Sequence, residues 1–121
     1  MSELPAPLVS AEQFEALVTQ ALDQIPDELL DLIDNCVVLV EDDAPPDDPE
    51  LLGRYDGTPL TERDRGYTMA LPDRITVFRH PTLAICDTEQ DVVDEVRITV
   101  VHEIAHHFGI DDDRLDELGW S

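Results

Sequence analysis

The stretch from Thr88 to Gly109 places the strongest constraint on how this chain can fold. Thr88 is predicted to cap a helix whose amino end is rich in acidic residues, which suit the helix dipole. Gly109 is predicted to stop that helix in the left-handed conformation that glycine allows. Such a helix must lie largely buried at the centre of its domain, because apolar residues recur at helical spacing on more than one face: Val92, Val93, Val96, Val100, Val101, Ile104 and Phe108.

The rest of the chain predicts a small α+β domain, with helices packed on a small β-sheet around this central helix. Ser10 and Gln13 form a capping box at the start of an amphipathic helix, which Pro26 ends. The stretch PDELLDLIDN predicts another short helix, and Arg114 to Leu118 predicts a last one. With 121 residues, the chain is long enough for one hydrophobic core and too short for two, so we expect a single domain over residues 1–121.

Two β-branched segments are predicted to form the sheet. CVVLV, from Cys36 to Val40, is expected to be a buried strand, and RITVFRH is expected to be a second strand. The two could pair in parallel or as a hairpin. Between them, the segment from Glu41 to Gly66 is expected to lack regular structure. A segment of this length is either a plain surface loop or a functional wall beside a site.

The charge of the chain excludes whole classes of partner. Seven basic and 29 acidic residues give a formal net charge of −22, which repels nucleic acid and anionic membranes and attracts cationic peptides. There is no signal-peptide pattern at the amino terminus and no apolar run long enough to span a bilayer, so a cytoplasmic protein is expected. In that compartment Cys36 and Cys86 are expected to be reduced thiols in or near the core.

The central helix carries the pattern H-E-x-x-H, which points to a metal centre. His102 and His106 are four residues apart, so their side chains project from one face about one turn apart. Two imidazoles in this arrangement can bind one Zn²⁺ ion. Glu103 lies about 100° further around the helix axis. From there it can act on a metal-bound water as a general base instead of binding the metal.

Three consecutive aspartates compete for the role of third zinc ligand. In the longer pattern H-E-x-x-H-x-x-G-x-x-[HD], the glycine lets the chain reverse so that a residue three positions later reaches the metal. Counting from Gly109 favours Asp112. Asp113 could instead cap the last helix, and Asp111 could face solvent or hydrogen-bond to a ligating histidine. One carboxylate and two neutral imidazoles would leave a coordination position open for water.

Two other histidines fit the metal pattern less well. His107 follows a candidate ligand directly, but it is rotated away from the ligand face. We expect it to be exposed or to support the site. His80 is interpreted as a residue at the end of a strand.

The stretch TVVHEIAHHFGIDDDRLDELGW, together with LLGRYDGTPLTERDRGY and LPDRITVFRHP, resembles a bacterial family of minimal zincins. These are small, metzincin-like zinc metallopeptidases, formerly grouped as a domain of unknown function. The resemblance covers nearly the whole chain and implies a zincin-like α+β fold with zinc ligands at His102, His106 and Asp112. It implies that Glu103 is the catalytic base. It also implies that the strand from Arg74 to Arg79 is a sheet edge along which an extended peptide lies.

One feature of metzincins is missing from this chain. Metzincins carry a methionine turn after the zinc motif, but residues 113–121 contain no methionine. Met69 is the only internal methionine, and ordinary core packing is the favoured interpretation of it. Tyr55 and Tyr67 are candidates for stabilising the oxyanion that forms during hydrolysis.

These residues support three functions. The first is a zinc-dependent metallopeptidase that hydrolyses a peptide or protein substrate through a zinc-activated water, with Glu103 as general base. The second is a catalytically weak or inactive zinc-stabilised binding or regulatory module, which the small frame and the missing methionine turn favour. The third is zinc-dependent hydrolysis of a non-peptide amide. The residues do not determine the substrate or the oligomeric state.

Overall fold

A computed structural model describes residues 5–33, 36–57 and 72–119. Within these ranges the strands are β1 (Cys36–Glu41), β2 (Gly53–Asp56) and β3 (Asp73–Phe78). The helices are α1 (Ala11–Asp23), α2 (Asp27–Leu30), α3 (Arg79–Ala84), α4 (Glu89–His107) and α5 (Asp112–Leu118), with 3₁₀ turns at Ala6–Leu8 and Asp31–Ile33. These elements confirm the predicted small α+β class.

The 19-residue helix α4 passes through the core, as its apolar pattern predicted. Thr88 caps it through its hydroxyl, which accepts a hydrogen bond from the Asp91 N–H, and the Asp91 carboxylate accepts one from the Thr88 N–H. Val96, Val100 and Ile104 are fully buried along its length. The helix therefore supplies a rigid support for whatever side chains its one open face presents.

Helix α1 packs against α4 and contributes to the hydrophobic core. Its predicted capping box is present: Ser10 Oγ accepts from the Gln13 N–H at 3.2 Å, and Gln13 Oε1 accepts from the Ser10 N–H at 2.9 Å. Phe14 and Ala21 on its inner face are fully buried. The predicted short helix after Pro26 is also present as α2.

The sheet has the strand order β1-β3-β2, so β3 is the central strand. β1 pairs with β3 in parallel, which confirms one of the two expected pairings, and β2 pairs with β3 in antiparallel orientation. The expectation that the strand around residues 74–79 is a sheet edge is therefore wrong. Both sides of its backbone already pair with neighbouring strands, so no side is left to hold a peptide. Among the described strands, β2 is the edge that packs beside α4.

Strand β2 lies inside the segment that was expected to lack regular structure. It has only the four residues GRYD, without an alternating apolar pattern, and its pairing partner lies about twenty residues further along the chain. The strand forms because β3 presents a row of backbone donors and acceptors, which a local sequence pattern does not show. Tyr67 and Met69 from the same region of the chain lie outside the described residues.

Strand β1 is less buried than its β-branched composition predicted. Val37 and Leu39 are 39% and 44% exposed, and they alternate with half-buried neighbours. The physical reason is that β1 is an outer strand of the sheet, and only its other face, with Val38 and Val40, packs against the core. A β-branched run suits a buried strand and a half-exposed strand alike.

Both cysteines are free thiols, as expected, with Cys86 buried and Cys36 half-buried. Burial, reinforced by nearby carboxylates, raises the pKa of Cys86 to about 11, so this thiol stays protonated at neutral pH. Among the residues that the structure describes, no helix is both long and apolar enough to cross a membrane.

Candidate metal centre

The two histidines of the H-E-x-x-H pattern project from the same face of α4. Their ring centroids are 6.1 Å apart, and the ring planes differ by 18°. The His102 side chain is 39% exposed, and His106 is exposed. The opposite side of α4 is buried in the core through Val96, Val100 and Ile104, so this pair of imidazoles stands on an open face of the helix, where an ion can enter.

The turn after α4 brings Asp112 next to the first histidine. Gly109 has a φ of 74°, which a glycine adopts without steric cost and which reverses the chain as predicted. Helix α5 then begins at Asp112, two residues earlier than expected. The Asp112 Oδ1 atom lies 3.9 Å from His102 Nε2. The fold thus places the favoured candidate for the third ligand beside His102.

The two neighbouring aspartates have other surroundings. Asp111 caps α5, because its Oδ1 accepts a hydrogen bond from the Arg114 N–H at 2.8 Å. The alternative in which Asp113 caps this helix is therefore wrong. Asp113 lies inside the first helical turn and is exposed. Capping turns the Asp111 carboxylate toward the main chain, whereas the Asp112 carboxylate approaches His102.

The donor set fits zinc in its chemistry, and its spacing is slightly too wide for a bound ion. Zinc holds nitrogen and oxygen ligands at about 2.0–2.2 Å in a tetrahedron, so neighbouring donor atoms lie about 3.3–3.6 Å apart. The His102–Asp112 distance of 3.9 Å exceeds this. Within the described ranges, no group of three His, Cys, Asp or Glu side chains has the arrangement of a metal site. Rotation of the exposed side chains of His106 and Asp112 would have to bring the donors together.

Glu103 lies beside the two histidines and contacts strand β2. Its Oε1 accepts a hydrogen bond from the main-chain N–H of Tyr55 at 3.0 Å. It also lines the same cleft as His102 and His106. Glu103 is therefore close to the candidate ligands, and one of its two carboxylate oxygens is held by the main chain of β2.

A cleft of about 390 Å³ borders this face of α4. The helix contributes His102, Glu103 and His106 to its lining, and the segment of residues 48–53 contributes most of the rest. The segment between β1 and β2 therefore does form part of the wall of the candidate site. The cleft is acidic, since the lining includes several carboxylates: Asp48, Glu50, Glu95 and Glu103.

The hydroxyl of Tyr55 is already hydrogen-bonded to another side chain. It donates a hydrogen bond to Asp73 Oδ2 at 2.8 Å. Burial, together with the Asp73 carboxylate, raises the pKa of Tyr55 above its usual range, so the hydroxyl keeps its proton and directs it at Asp73. The Tyr55 ring also stacks on the exposed His107, with centroids 3.8 Å apart. The hydroxyl is therefore directed at Asp73, and the expectation that Tyr55 stabilises an oxyanion is not supported. His107 contacts β2 by stacking on the Tyr55 ring.

His80 belongs to a different part of the surface, in agreement with its exclusion from the ligand set. Its Nδ1 is 2.7 Å from Asp43 Oδ1, and it lines a separate depression with Ala44 and Pro81. It lies in the first turn of α3 rather than at a strand end. The pairing with Asp43 links the start of the segment between β1 and β2 to α3.

Gly53 is a structural residue of the site that the sequence did not identify. A Cβ at this position would lie 2.6 Å from Thr99 Cγ2 on α4 and 3.0 Å from the Thr76 carbonyl oxygen. Only a glycine therefore allows β2 to approach α4 this closely. The GRY triplet alone carried no signal of this contact, because the partner residues are 23 and 46 positions away.

Replacement of Gly53 by Ala is expected to lower the free energy of unfolding by about 1–3 kcal/mol, as overpacking of a core does. Adding Thr99→Ser removes the Cγ2 atom and is expected to restore part of that loss. Gly57→Ala is the matched control, since its Cβ would meet His107 Cε1 at an ordinary 3.4 Å. Urea denaturation of the wild type and the three variants measures the effect, and a Gly53→Ala protein as stable as the Gly57→Ala protein would contradict it.

Comparison with known proteins identifies the family. A family model described as zincin-like metallopeptidase matches residues 33–120. A solved structure, a conserved hypothetical protein from Thermo thermophilus, is similar with a TM-score of 0.53 and 23% identity, over 83% of this chain and 94% of that chain. Comparison with curated proteins found no match. Zincin family members bind zinc, in agreement with the donor chemistry of the cleft. Because the family model covers most of the sequence, the chain belongs to the zincin-like metallopeptidase family.

Proposed function

We propose that this protein is a zinc-dependent metallopeptidase, built as a single domain over residues 1–121. One observation carries the proposal: His102, Glu103 and His106 line a single cleft on the open face of α4. Membership of the zincin-like metallopeptidase family supports it. In this proposal His102, His106 and Asp112 hold the zinc ion, and Glu103 is the general base.

The protein's own residues would divide the work as follows. When bound, zinc lowers the pKa of a water and polarises the scissile carbonyl. Glu103 takes a proton from the attacking water and later passes it to the nitrogen of the leaving amine. Leu51 and Leu52 form an apolar part of the cleft lining, which favours a substrate side chain over water there.

We further propose that the substrates are cationic peptides in the cytoplasm, with nucleic acid and membranes excluded by the net charge of −22. Glu95 lines the cleft seven residues before His102, or about 10 Å along the helix axis. That distance corresponds to about three residues of an extended peptide. A Lys or Arg side chain near the scissile bond can therefore reach its carboxylate.

We expect peptides with Lys or Arg near the scissile bond to have kcat/KM values roughly 10-fold or more above neutral homologues at low salt, with a smaller difference at high salt. Glu95→Gln is expected to reduce that preference. Glu15→Gln is the matched control, because it removes the same charge from α1, outside this cleft. Equal rates for cationic and neutral peptides at every ionic strength would contradict the preference.

The peptidase proposal itself is tested by exposing a diverse peptide library to zinc-loaded wild-type protein, with products identified by mass spectrometry. We expect cleavage products that are absent with Glu103→Gln. Products that appear equally with both proteins would come from a contaminant or from another mechanism, and they would contradict the proposal.

A zinc-stabilised binding or regulatory module is the second candidate. It is favoured by the lack of a methionine in residues 113–121, where metzincins carry the methionine turn. A folded protein that holds one zinc ion and cleaves neither peptides nor simple amides would support this candidate over the peptidase. Cleavage of amides alone would instead support a non-peptide amidase.

A further inference from the structure

We infer that the main-chain N–H of Tyr55 is the positioning group for Glu103. It holds Oε1 of the carboxylate at 3.0 Å and leaves Oε2 to act in the cleft. The catalytic meaning of this contact rests on the proposed function, whereas the contact itself does not. Tyr55 would then act through its main-chain N–H and not through its hydroxyl.

The strand register explains why this N–H is available. The Phe78 N–H donates to the Leu52 carbonyl at 2.9 Å, so this pair is a hydrogen-bonded one. Such pairs alternate with non-hydrogen-bonded pairs along an antiparallel ladder. Tyr55, which is opposite Ile75, falls three positions further along and is therefore in a non-hydrogen-bonded pair. Its N–H points away from β3 and toward α4.

The close approach of β2 to α4 explains why Glu103 can reach this donor. Gly53 has no Cβ, so Thr99 packs directly against the strand backbone. Glu103 is one helical turn after Thr99 on α4, and Tyr55 is two residues after Gly53 on β2. These two steps along the interface have similar lengths. The contact between Gly53 and Thr99 thus sets the spacing for the hydrogen bond between Tyr55 and Glu103.

Tyr55 is itself fixed at several points, so its N–H is a rigid reference. The hydroxyl donates to Asp73 at 2.8 Å. The ring stacks on His107 at 3.8 Å and meets Phe108 edge-on at 6.5 Å. A donor held in this way restricts rotation of the Glu103 carboxylate. Misplacement of a catalytic group by about 1 Å can cost about 100-fold in rate, so this restriction is expected to matter for turnover.

The test compares Tyr55→Pro with Tyr55→Ala. Both remove the tyrosine side chain, but only proline removes the N–H, and the ladder with β3 does not use that N–H. We expect kcat for Tyr55→Pro to be about 10-fold to 100-fold below that of Tyr55→Ala. KM is expected to be similar for both, because the N–H touches Glu103 and not the substrate. Circular dichroism and the melting temperature show whether both variants are folded.

A merely structural effect of proline is separated by repeating the comparison with Glu103→Ala. If the N–H acts through Glu103, the residual kcat values of the two Tyr55 variants become equal in that background. Equal kcat values of the two variants in the presence of Glu103 would overturn the inference. A difference that persists without Glu103 would overturn it as well.

A second readout requires neither zinc nor turnover. In ¹⁵N-labelled protein, Glu103→Ala is expected to shift the Tyr55 amide proton upfield and to speed its exchange with solvent, whereas Glu95→Ala leaves both unchanged. An amide that is insensitive to Glu103→Ala would overturn the inference. Wild-type protein that cleaves nothing while this amide responds as expected would contradict the proposed peptidase function, and it would leave the contact between Tyr55 and Glu103 established.

Discussion

Glu103→Gln is expected to lower kcat/KM for the best library peptide by about 10²–10⁴-fold, the usual contribution of a general base. Gln has the same shape, and its carbonyl oxygen can still accept the hydrogen bond from the Tyr55 N–H. The substitution therefore removes the basic carboxylate while it keeps the side chain in place. Zinc affinity is expected to change little, since the proposed ligands are His102, His106 and Asp112.

The measurement is steady-state kinetics with zinc content determined for each preparation. Glu95→Gln is the matched control, because Glu95 is on the same helix, lines the same cleft and loses the same charge. Because Glu95 is proposed to contact only a Lys or Arg of the substrate, we expect its kcat for a neutral peptide to stay within a few-fold of wild type. A Glu103→Gln protein with wild-type kcat would remove Glu103 from the mechanism.

Asp112→Ala is expected to weaken zinc binding by more than about 100-fold, which is the upper range for loss of a residue that only supports a ligand. The physical reason is that a carboxylate beside His102, at 3.9 Å in this structure, would be lost from the donor set. Asp111→Ala and Asp113→Ala remove the same charge from adjacent positions. These two variants therefore show whether a loss of zinc affinity comes from loss of a ligand or from loss of a negative charge near the site.

Competition with a chromophoric chelator measures the zinc affinity of the three variants. Asp111→Ala is expected to cost about 1 kcal/mol of stability through loss of the α5 cap. Asp111→Asn keeps a capping side chain and shows whether any effect on zinc comes from the cap alone. Equal losses of zinc affinity in all three alanine variants would defeat the assignment of Asp112.

The helices of this protein could be predicted because their signals are local. The capping box at Ser10, the cap at Thr88 and the left-handed Gly109 are present as expected. Each depends on residues within four positions of one another, so the chain sequence displays the whole interaction. The cap of α5 was the exception. Three adjacent aspartates offer the same side chain at three positions, and the register of the turn selects Asp111.

The sheet was predicted less well, because its pairing is not local. The strand character of CVVLV and RITVF was recognisable, but the order β1-β3-β2 was not. Strand β2 has no apolar alternation of its own, and it forms on the backbone of β3. Because of that pairing, the sheet edge beside α4 is Gly53–Asp56 and not the strand around residues 74–79.

The sequence alone determined the family, the long central helix and the candidate residues His102, Glu103, His106 and Asp112, because helical spacing and one glycine turn place them within eleven residues of chain. Only the tertiary structure decided what surrounds them. It brought the Tyr55 N–H to Glu103, and it made residues 48–53 a wall of the cleft. The hydrogen bond joins positions 48 residues apart through a main-chain N–H that every residue type except proline carries. Such groups leave no signature in the sequence of side chains.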